Sequence, residues 1–391
     1  MLISYSYNNF CSFNVDSEFS MVSGAGKVKN RFPDNYVTLD SEYDLLKTAV
    51  IVGENAGGKS NFINGLKFVR GLFDSNALVQ SVTSYVNAAS LKCESNPTQR
   101  FEISFSASNS LVYSYMIEID AEGIVAEKLV KQGKRKQVFS KVFEIVRTES
   151  GLYEAIQGKG KDISNVLKNS NNSNGLFVSK LALLGNQDAA ATVEWFLTKL
   201  SPGAIVTDEI EDAVKRDSDI KIMNDPRYVD KFKMVDYSIC NIEVDADKPY
   251  SKSLIVRCDR DGNYLKRELS QDSTGVREFF AWAVQIFRVV YENKVVFADE
   301  MDRVLNPILS DRVIAFINGM EHRGQFIFST HNVLHLNLKN YMKEQIYFIT
   351  KSRDNLTSEL YSLADFPEVR YEVTKVYEFY MKGILGGTAF E

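Results

Sequence analysis

The chain contains few of the residues that build zinc sites and disulfide frameworks. Four cysteines and three histidines occur among 391 residues, and the cysteines, at positions 11, 93, 240 and 258, form no C-x-x-C pair. This spacing argues against a zinc site, and so sparse a set of cysteines is typical of a protein from a reducing compartment. We therefore expect a cytoplasmic protein.

Long apolar runs and an excess of basic charge are also missing. No uninterrupted apolar segment reaches the length of a membrane span, and the N-terminus does not have the pattern of a signal peptide, so no membrane partner is expected. The 51 acidic side chains slightly outnumber the 46 basic ones, for a net charge of −5. A general nucleic-acid binder is more often basic, although a local contact at the turn "KQGKRK" (Lys131–Lys136) stays open.

What the chain does contain is a phosphate-binding loop. The apolar stretch Ala49–Val52 leads into "GENAGGKS" (Gly53–Ser60), which fits G-x-x-x-x-G-K-[ST], and a helix-like segment follows. In this motif backbone N–H groups and a helix N-terminus surround an anion, the lysine reaches the β- and γ-phosphates, and the serine hydroxyl binds Mg²⁺. Ser60 is therefore a predicted metal ligand. The predicted nucleotide-binding residues are Gly53, Asn55, Gly57, Gly58, Lys59, Ser60 and Asn61.

A second apolar stretch supplies the acids that a nucleotide site needs. The residues "VVFA" (Val295–Ala298) read as a buried strand that ends in Asp299 and Glu300. We expect Asp299 to hold Mg²⁺, directly or through water, and Glu300 to polarise the attacking water as a general base.

The three histidines have different predicted roles. The stretch "QFIFSTH" reads as a further strand that ends in His331, which in this position can touch the γ-phosphate or the attacking water. His322 and His335 have no such context, and we expect both to be structural.

A small-residue turn before a strongly apolar helix predicts another phosphate contact. Ser273, Thr274 and Gly275 open the segment "VREFFAWAVQIF". The backbone N–H groups there and the Ser273 hydroxyl suit a phosphate, although the same turn also reads as a plain helix cap. Because the chain already holds one phosphate loop, we expect Ser273 and Gly275 to act on the nucleotide of a partner subunit.

The remaining segments indicate a β-rich part and a more helical part. Residues from about 100 to 147 read as β-hairpins, and residues 160–235 are more helical and polar. Two strands follow, "CNIEVDA" and "KSLIVRCDRDGNYLKREL", the second broken at Asp261-Gly262. The C-terminal third alternates strand and helix, as in an α/β core.

The order of these motifs resembles that of ABC-type ATPase heads, and more closely the abortive-infection ATPase family (AbiL-like, related to the ATPase part of OLD proteins). The segments that carry the resemblance are "MLISYSYNNFCSF", "SMV", "GENAGGKSNFINGLKFV", "DEMDRVLNP", "IYFITK…ELYSLADF" and "YEFYMKGILGG". The resemblance covers about residues 1–130 and 260–391. It implies an α/β fold, an ABC-type P-loop ATPase head with an N-terminal β-rich subdomain (1–150 and 260–391), and a mainly helical insert at 151–259.

Several positions depart from the family pattern. Cys11 stands where related heads commonly carry a basic residue, so Asn9–Ser12 is expected to contribute less to binding. Leu305-Asn306-Pro307 replaces the commoner L-H-P, Thr274 replaces a commoner glycine, and no Mg²⁺-sensing glutamine can be placed. Slow or switch-like hydrolysis is therefore expected.

The resemblance also implies a role. It implies ATP and Mg²⁺ as cofactors, a head-to-tail dimer or higher homo-oligomer, and an ATPase sensor and scaffold in anti-phage defence. A phage-encoded trigger would cause it to release or activate a separate toxic effector, a nuclease such as a TOPRIM protein, with DNA an optional partner. A DNA-repair clamp of the RecF/SMC type is the alternative. A plain kinase or GTPase leaves the S-x-G turn and His331 without a role.

Overall fold

Within the residues that the structure describes, the strands form two large sheets and two small ones. The computed structural model describes residues 1–14, 16–39, 43–74, 98–133, 138–157, 161–168, 175–203, 217–301, 305–352 and 356–386. The strands are β1 Leu2–Asn8, β2 Ser17–Ser20, β3 Tyr36–Leu39, β4 Tyr43–Leu46, β5 Thr48–Gly53, β6 Gln99–Ser106, β7 Val112–Asp120, β8 Gly123–Gln132, β9 Phe139–Arg147, β10 Tyr153–Gln157, β11 Leu200–Pro202, β12 Ile239–Glu243, β13 Leu254–Cys258, β14 Tyr264–Glu268, β15 Val295–Ala298, β16 Gln325–Thr330, β17 Ile346–Lys351 and β18 Ser358–Ser362.

The helices lie mainly in the second half of the chain. They are α1 Lys59–Gly71, α2 Lys161–Lys168, α3 Phe177–Leu183, α4 Gln187–Glu194, α5 Asp217–Met223, α6 Pro226–Phe232, α7 Pro249–Lys252, α8 Thr274–Glu292, α9 Pro307–Gly319 and α10 Val376–Met381. A π-helical turn, Trp195–Lys199, continues α4. No helix in the described parts of the chain is long and apolar enough to cross a membrane.

The six-stranded sheet carries the phosphate loop. Its order is β11-β15-β16-β5-β17-β18, parallel throughout except for the antiparallel edge strand β18. Every residue of β5 is buried, because the strand packs on both faces. Ala49 and Ile51 join the core that includes α1, whereas Val50 and Val52 join the core that includes α8 and α9. A continuous apolar strand is what such two-sided burial requires.

The seven-stranded sheet is antiparallel and consists of strands from the N-terminal part of the chain. Its order is β10-β9-β8-β7-β6-β1-β2, and its inner face packs against α1 in an aromatic-rich core. Tyr5, Tyr7 and Phe19 of this sheet contact Phe62 of α1. The hairpins expected between residues 100 and 147 are confirmed as β6 to β9.

A third sheet, β12-β13-β14, precedes the long helix α8. The predicted break at Asp261-Gly262 is confirmed, and Gly262 has a φ of 83°, which favours glycine. Arg257 of β13 donates to both carboxylate oxygens of Asp272, at 2.7 and 2.9 Å, and to Asp236 at 2.8 Å. These ion pairs connect the small sheet to the turn that starts α8.

The arrangement is the α/β fold of an ABC-type P-loop ATPase head with a β-rich N-terminal part, as expected from the sequence. Residues 151–259 supply β10 to the antiparallel sheet, β11 to the mixed sheet, β12 and β13 to the three-stranded sheet, and the helices α2 to α7. That residues 151–259 form one inserted region stays a prediction. The basic-turn residues 134–136 and residues 302–304 of "DEMDRVLNP" lie outside the described residues.

Candidate functional site: a nucleotide cavity at the end of the mixed sheet

The phosphate loop is wound around the ammonium group of Lys59. Lys59 Nζ donates to the carbonyl oxygens of Gly53, at 2.8 Å, and Glu54, at 2.9 Å, and the side chain is buried. Gly58 precedes α1 with a φ of 119°, in the left-handed region. A Cβ at Gly53 would lie 2.1 Å from the carbonyl oxygen of Ile349, so glycine is required there for close packing against β17.

Three polar side chains outside the motif brace this loop. Ser358 Oγ donates to the carbonyl oxygen of Gly57 at 2.6 Å and lies 2.7 Å from Ser12 Oγ. Asn61 Nδ2 also donates to Ser12 Oγ, at 2.9 Å. A Cβ at Gly58 would lie 2.3 Å from Ser358 Oγ. The loop is therefore held from the N-terminal turn and from β18, and Ser12 contributes more here than the sequence suggested.

The two predicted acids follow β15 and are held by a serine of the neighbouring strand. The parallel register places Ala298 opposite Phe328, so Asp299 and Ser329 come next to each other. Ser329 Oγ donates to Asp299 Oδ1 at 2.5 Å and accepts from the Glu300 N–H at 2.8 Å. Glu300 has a φ of 48°, a backbone conformation that non-glycine residues seldom adopt and that is common at functional sites.

One cavity of about 420 Å³ brings most of the predicted site residues together. It is lined by Ser12, Glu54, Asn55, Ala56, Gly58, Lys59, Ser60, Asn61, Glu300, His331, Lys351 and Leu356. Gly53, Gly57 and Asp299 are not among the lining residues, and Asp299 is linked to the cavity through Ser329 and the neighbouring Glu300. The cavity thus places the general-base candidate opposite the loop that would hold the phosphates.

The histidines occupy the places expected of them. His331 follows β16 and borders the cavity. His322 is buried, with Nε2 2.8 Å from the Ile317 carbonyl oxygen and Nδ1 accepting from the Gly324 N–H at 3.0 Å. Burial lowers the pKa of His322, which favours the neutral ring. His335 is also buried and stacks edge-on against Phe328. The last two therefore have structural surroundings.

The S-x-G turn lies away from this cavity. Ser273 is the N-cap of α8 and accepts from the Val276 N–H at 3.4 Å. Neither Ser273 nor Gly275 lines the nucleotide cavity. Their use by a partner subunit stays a prediction.

The donor set fits a Mg²⁺ ion bound together with a nucleotide. Ser60 offers a hydroxyl oxygen and Asp299 a carboxylate, and Mg²⁺ prefers hard oxygen ligands and commonly takes few from the protein. Within the described residues, no group of three or more His, Cys, Asp or Glu side chains is placed to hold a metal by itself. The remaining ligands would come from phosphate and water.

Four residues at the site were missed as contributors. They are Ser329, Ser358, Lys351 and Leu356. Only Ser329 had a signal in the sequence, because it directly follows the apolar run Phe326–Phe328 of β16, next to the strand that precedes Asp299. The other three depend on the pairing of β17 with β5 and of β18 with β17, which no local pattern reveals.

The fold and the cavity define a P-loop ATPase of the ABC type. Residues 49–337, well over half of the chain, match the family described as "AAA domain, putative AbiEii toxin, Type IV TA system". The chain belongs to this family. No curated protein matches the chain.

Solved structures with a similar course of the chain are SMC head domains. The head from Thermotoga maritima is 15% identical with a TM-score of 0.45, covering 92% of this chain and 98% of that one. An SmcHead bound to the C-winged helix domain of ScpA is 13% identical (TM-score 0.49; 92% and 97% covered). A head with an extended coiled coil, bound to the C-terminal domain of ScpA derived from Pyrococcus furiosus, is 13% identical (0.45; 92% and 96%). TM-scores below 0.5 carry no functional argument.

Proposed function

We propose that this chain is a Mg²⁺-dependent ATP hydrolase that works as a switch. The observation that carries the proposal is the single cavity that joins Lys59 and Ser60 of the phosphate loop to Glu300 and His331. A nucleotide enzyme needs a phosphate cradle, a metal-binding acid and a base near the attacking water. All three kinds of group are present at the carboxyl ends of adjacent parallel strands.

Each side chain has a chemical task in this proposal. Lys59 and the loop N–H groups bind the β- and γ-phosphates, and Ser60 and Asp299 would hold Mg²⁺, which neutralises phosphate charge when bound. Glu300 accepts a proton from the attacking water. His331 contacts the γ-phosphate or that water from the end of β16.

The second half of the proposal is a head-to-tail dimer. Ser273 and Gly275 begin a long helix outside the cavity, where N–H groups are available to an anion. A second copy of the chain would bring this turn to the nucleotide bound by the first. ATP binding would then close the dimer, and hydrolysis would open it.

The family description, which names a putative toxin and a type IV toxin–antitoxin system, supports a role in abortive infection. We propose an ATPase sensor and scaffold that holds a separate effector, a nuclease such as a TOPRIM protein, and frees or activates it when a phage-encoded trigger is present. Within the abortive-infection ATPases, we propose the ATPase of the PARIS anti-phage system (AriA) as the specific candidate because it is about the size of this chain; the motifs do not separate it from other members.

The test is co-purification of the Glu300→Gln protein with its neighbouring gene product, in ATP, with and without double-stranded DNA. A stable complex with the neighbour that is indifferent to DNA would support the sensor. DNA-dependent dimerisation without a protein partner would instead support a repair clamp and contradict the proposed role in defence.

A further inference from the structure

Lys351 brings a second lysine to the nucleotide cavity. It is the last residue of β17 and borders the cavity that also contains Lys59, Glu300 and His331. Its side chain is exposed, and no described residue forms an ion pair with its ammonium group. The charge is therefore available to a ligand in the cavity.

The end of β17 is fixed against the phosphate loop. Ile349 lies opposite Gly53 in the parallel pair of β17 and β5. The Ile349 carbonyl oxygen would lie 2.1 Å from a Cβ at Gly53 and 3.2 Å from one at Gly57. Lys351 follows two residues later, so its backbone is placed by contacts that allow little movement relative to the loop.

The pairing with β18 determines the direction of the Lys351 side chain. Lys351 lies directly opposite Ser358 in the antiparallel pair. Opposed residues in such a pair project from the same face of the sheet, with Cβ atoms about 4.5–5.5 Å apart. Ser358 Oγ donates to the Gly57 carbonyl oxygen at 2.6 Å. Lys351 therefore projects from the sheet face that carries Ser358, next to the loop, and it lines the cavity together with Lys59 and Ser60.

The strand order determines which end of the nucleotide Lys351 meets. Glu300 and His331 follow β15 and β16, which lie on one side of β5, whereas Lys351 ends β17 on the other side. The γ-phosphate and the attacking water belong on the side of Glu300 and His331. The opposite side is left for the phosphates nearer the nucleoside.

We propose that Lys351 is a second phosphate-binding cation, which contacts the α- and β-phosphates of the nucleotide bound by the loop. The proposal rests on the proposed nucleotide-binding function. An ammonium group on a flexible stem offers three donors to phosphate oxygens without the fixed geometry that arginine imposes. Because ATP and ADP share these two phosphates, Lys351 would strengthen the binding of both.

The test is equilibrium titration with fluorescent N-methylanthraniloyl derivatives of ATP and ADP, each with Mg²⁺. We expect Lys351→Gln to weaken both by about three- to tenfold, the range for an exposed charge contact. Lys351→Arg should retain most of the affinity, and high salt should reduce the difference between wild type and Lys351→Gln. The matched control is Lys168→Gln, which removes an exposed lysine outside the cavity.

Two results would overturn the proposal. One is unchanged affinity of Lys351→Gln for both nucleotides, and the other is a loss confined to ATP, which would indicate a contact with the γ-phosphate. The Lys59→Ala variant shows whether such a result contradicts only the role of Lys351 or the proposed nucleotide-binding function as a whole. If Lys59→Ala binds normally, the nucleotide site itself is wrong; if it loses binding while Lys351→Gln does not, only the role of Lys351 is wrong.

Discussion

Ser329 Oγ lies 2.5 Å from Asp299 Oδ1 and 2.8 Å from the backbone nitrogen of Glu300, so one hydroxyl orients both acids of the site. The hydroxyl donates to the carboxylate and accepts from the N–H. It connects the end of β16 to the residues after β15. Glu300 keeps a left-handed backbone conformation at this point, and the bond from its N–H to Ser329 helps to hold it there.

We therefore expect Ser329→Ala to slow ATP hydrolysis by roughly ten- to a hundredfold, as loss of a hydrogen bond to a charged group is worth about 1.5–3 kcal/mol. Nucleotide affinity should change much less, since the phosphate loop is untouched. Steady-state ATPase assays with parallel binding titrations would check this. Ser310→Ala, a buried serine of α9 outside the cavity, is the control, and equal loss in both variants would contradict the assigned role.

Gly58→Ala should abolish nucleotide binding. The substitution places a Cβ 2.3 Å from Ser358 Oγ and 3.0 Å from Ser12 Oγ at a φ of 119°. Strain of this kind costs about 1–3 kcal/mol, so denaturant unfolding should show a comparable loss of stability. Gly319→Ala is the matched control because its Cβ meets no atom within 4 Å. A Gly58→Ala protein that binds ATP normally would refute the described loop geometry.

Ser273→Arg should prevent the ATP-dependent dimer while leaving nucleotide binding by the monomer intact. Ser273 lies outside the cavity of its own chain, so a bulky cation there affects only a partner's nucleotide. Ser273→Ala, which removes the hydroxyl and its cap bond to Val276 but keeps the backbone N–H groups and adds no bulk, should still dimerise, although more weakly than wild type. Light scattering would measure dimer formation, and binding titrations would measure ATP affinity, for both variants. Loss of ATP binding in the Ser273→Arg monomer would argue against a contact between Ser273 and the nucleotide of the partner subunit.

Much of the fold and site follows from local sequence patterns. The phosphate loop, the strand before Asp299 and the strand before His331 each carry their own signature of apolar residues, glycine or acid. Parallel strands end at the same edge of a sheet, which is why these motifs meet. This reasoning predicted Lys59, Glu300 and His331 for one site, and all three line the same cavity; their roles stay predictions.

The pairing of strands that are distant in the sequence could not be predicted from the sequence. Ser358 and Lys351 enter the site only because β17 pairs with β5 and β18 pairs with β17. No motif in the sequence around Ser358 or Lys351 predicts a functional role for either side chain. Glu127 is a similar case, since an acid in a strand reads as solvent-facing, yet its side chain is fully buried.

Glu127 connects the antiparallel sheet to α3. Its Oε1 accepts from the Tyr115 hydroxyl at 3.0 Å and the Val178 N–H at 2.8 Å, and its Oε2 accepts from the Phe177 N–H at 2.8 Å. Burial raises the pKa of Glu127 from 4.5 to about 7, although these hydrogen bonds act in the opposite direction.

The raised pKa of Glu127 predicts a pH dependence of stability. Between the unfolded pKa of 4.5 and the folded pKa of about 7, the native state holds a proton that the unfolded chain has released. The contribution is therefore complete below pH 4.5 and is lost as pH rises to about 7, with a slope of up to about 1.4 kcal/mol per pH unit. Glu127→Gln should remove this slope in urea unfolding measured across that range. Equal slopes in both proteins would contradict the prediction.

The most direct test of the central claim is the Glu300→Gln protein, assayed for single-turnover ATP hydrolysis and for mass by light scattering. Since Asp299 and the loop are intact, we expect bound MgATP, a mass of two chains, and hydrolysis slowed by roughly a hundredfold or more through loss of the general base. Hydrolysis at the wild-type rate would show that Glu300 is not the base and that the cavity does not work as described.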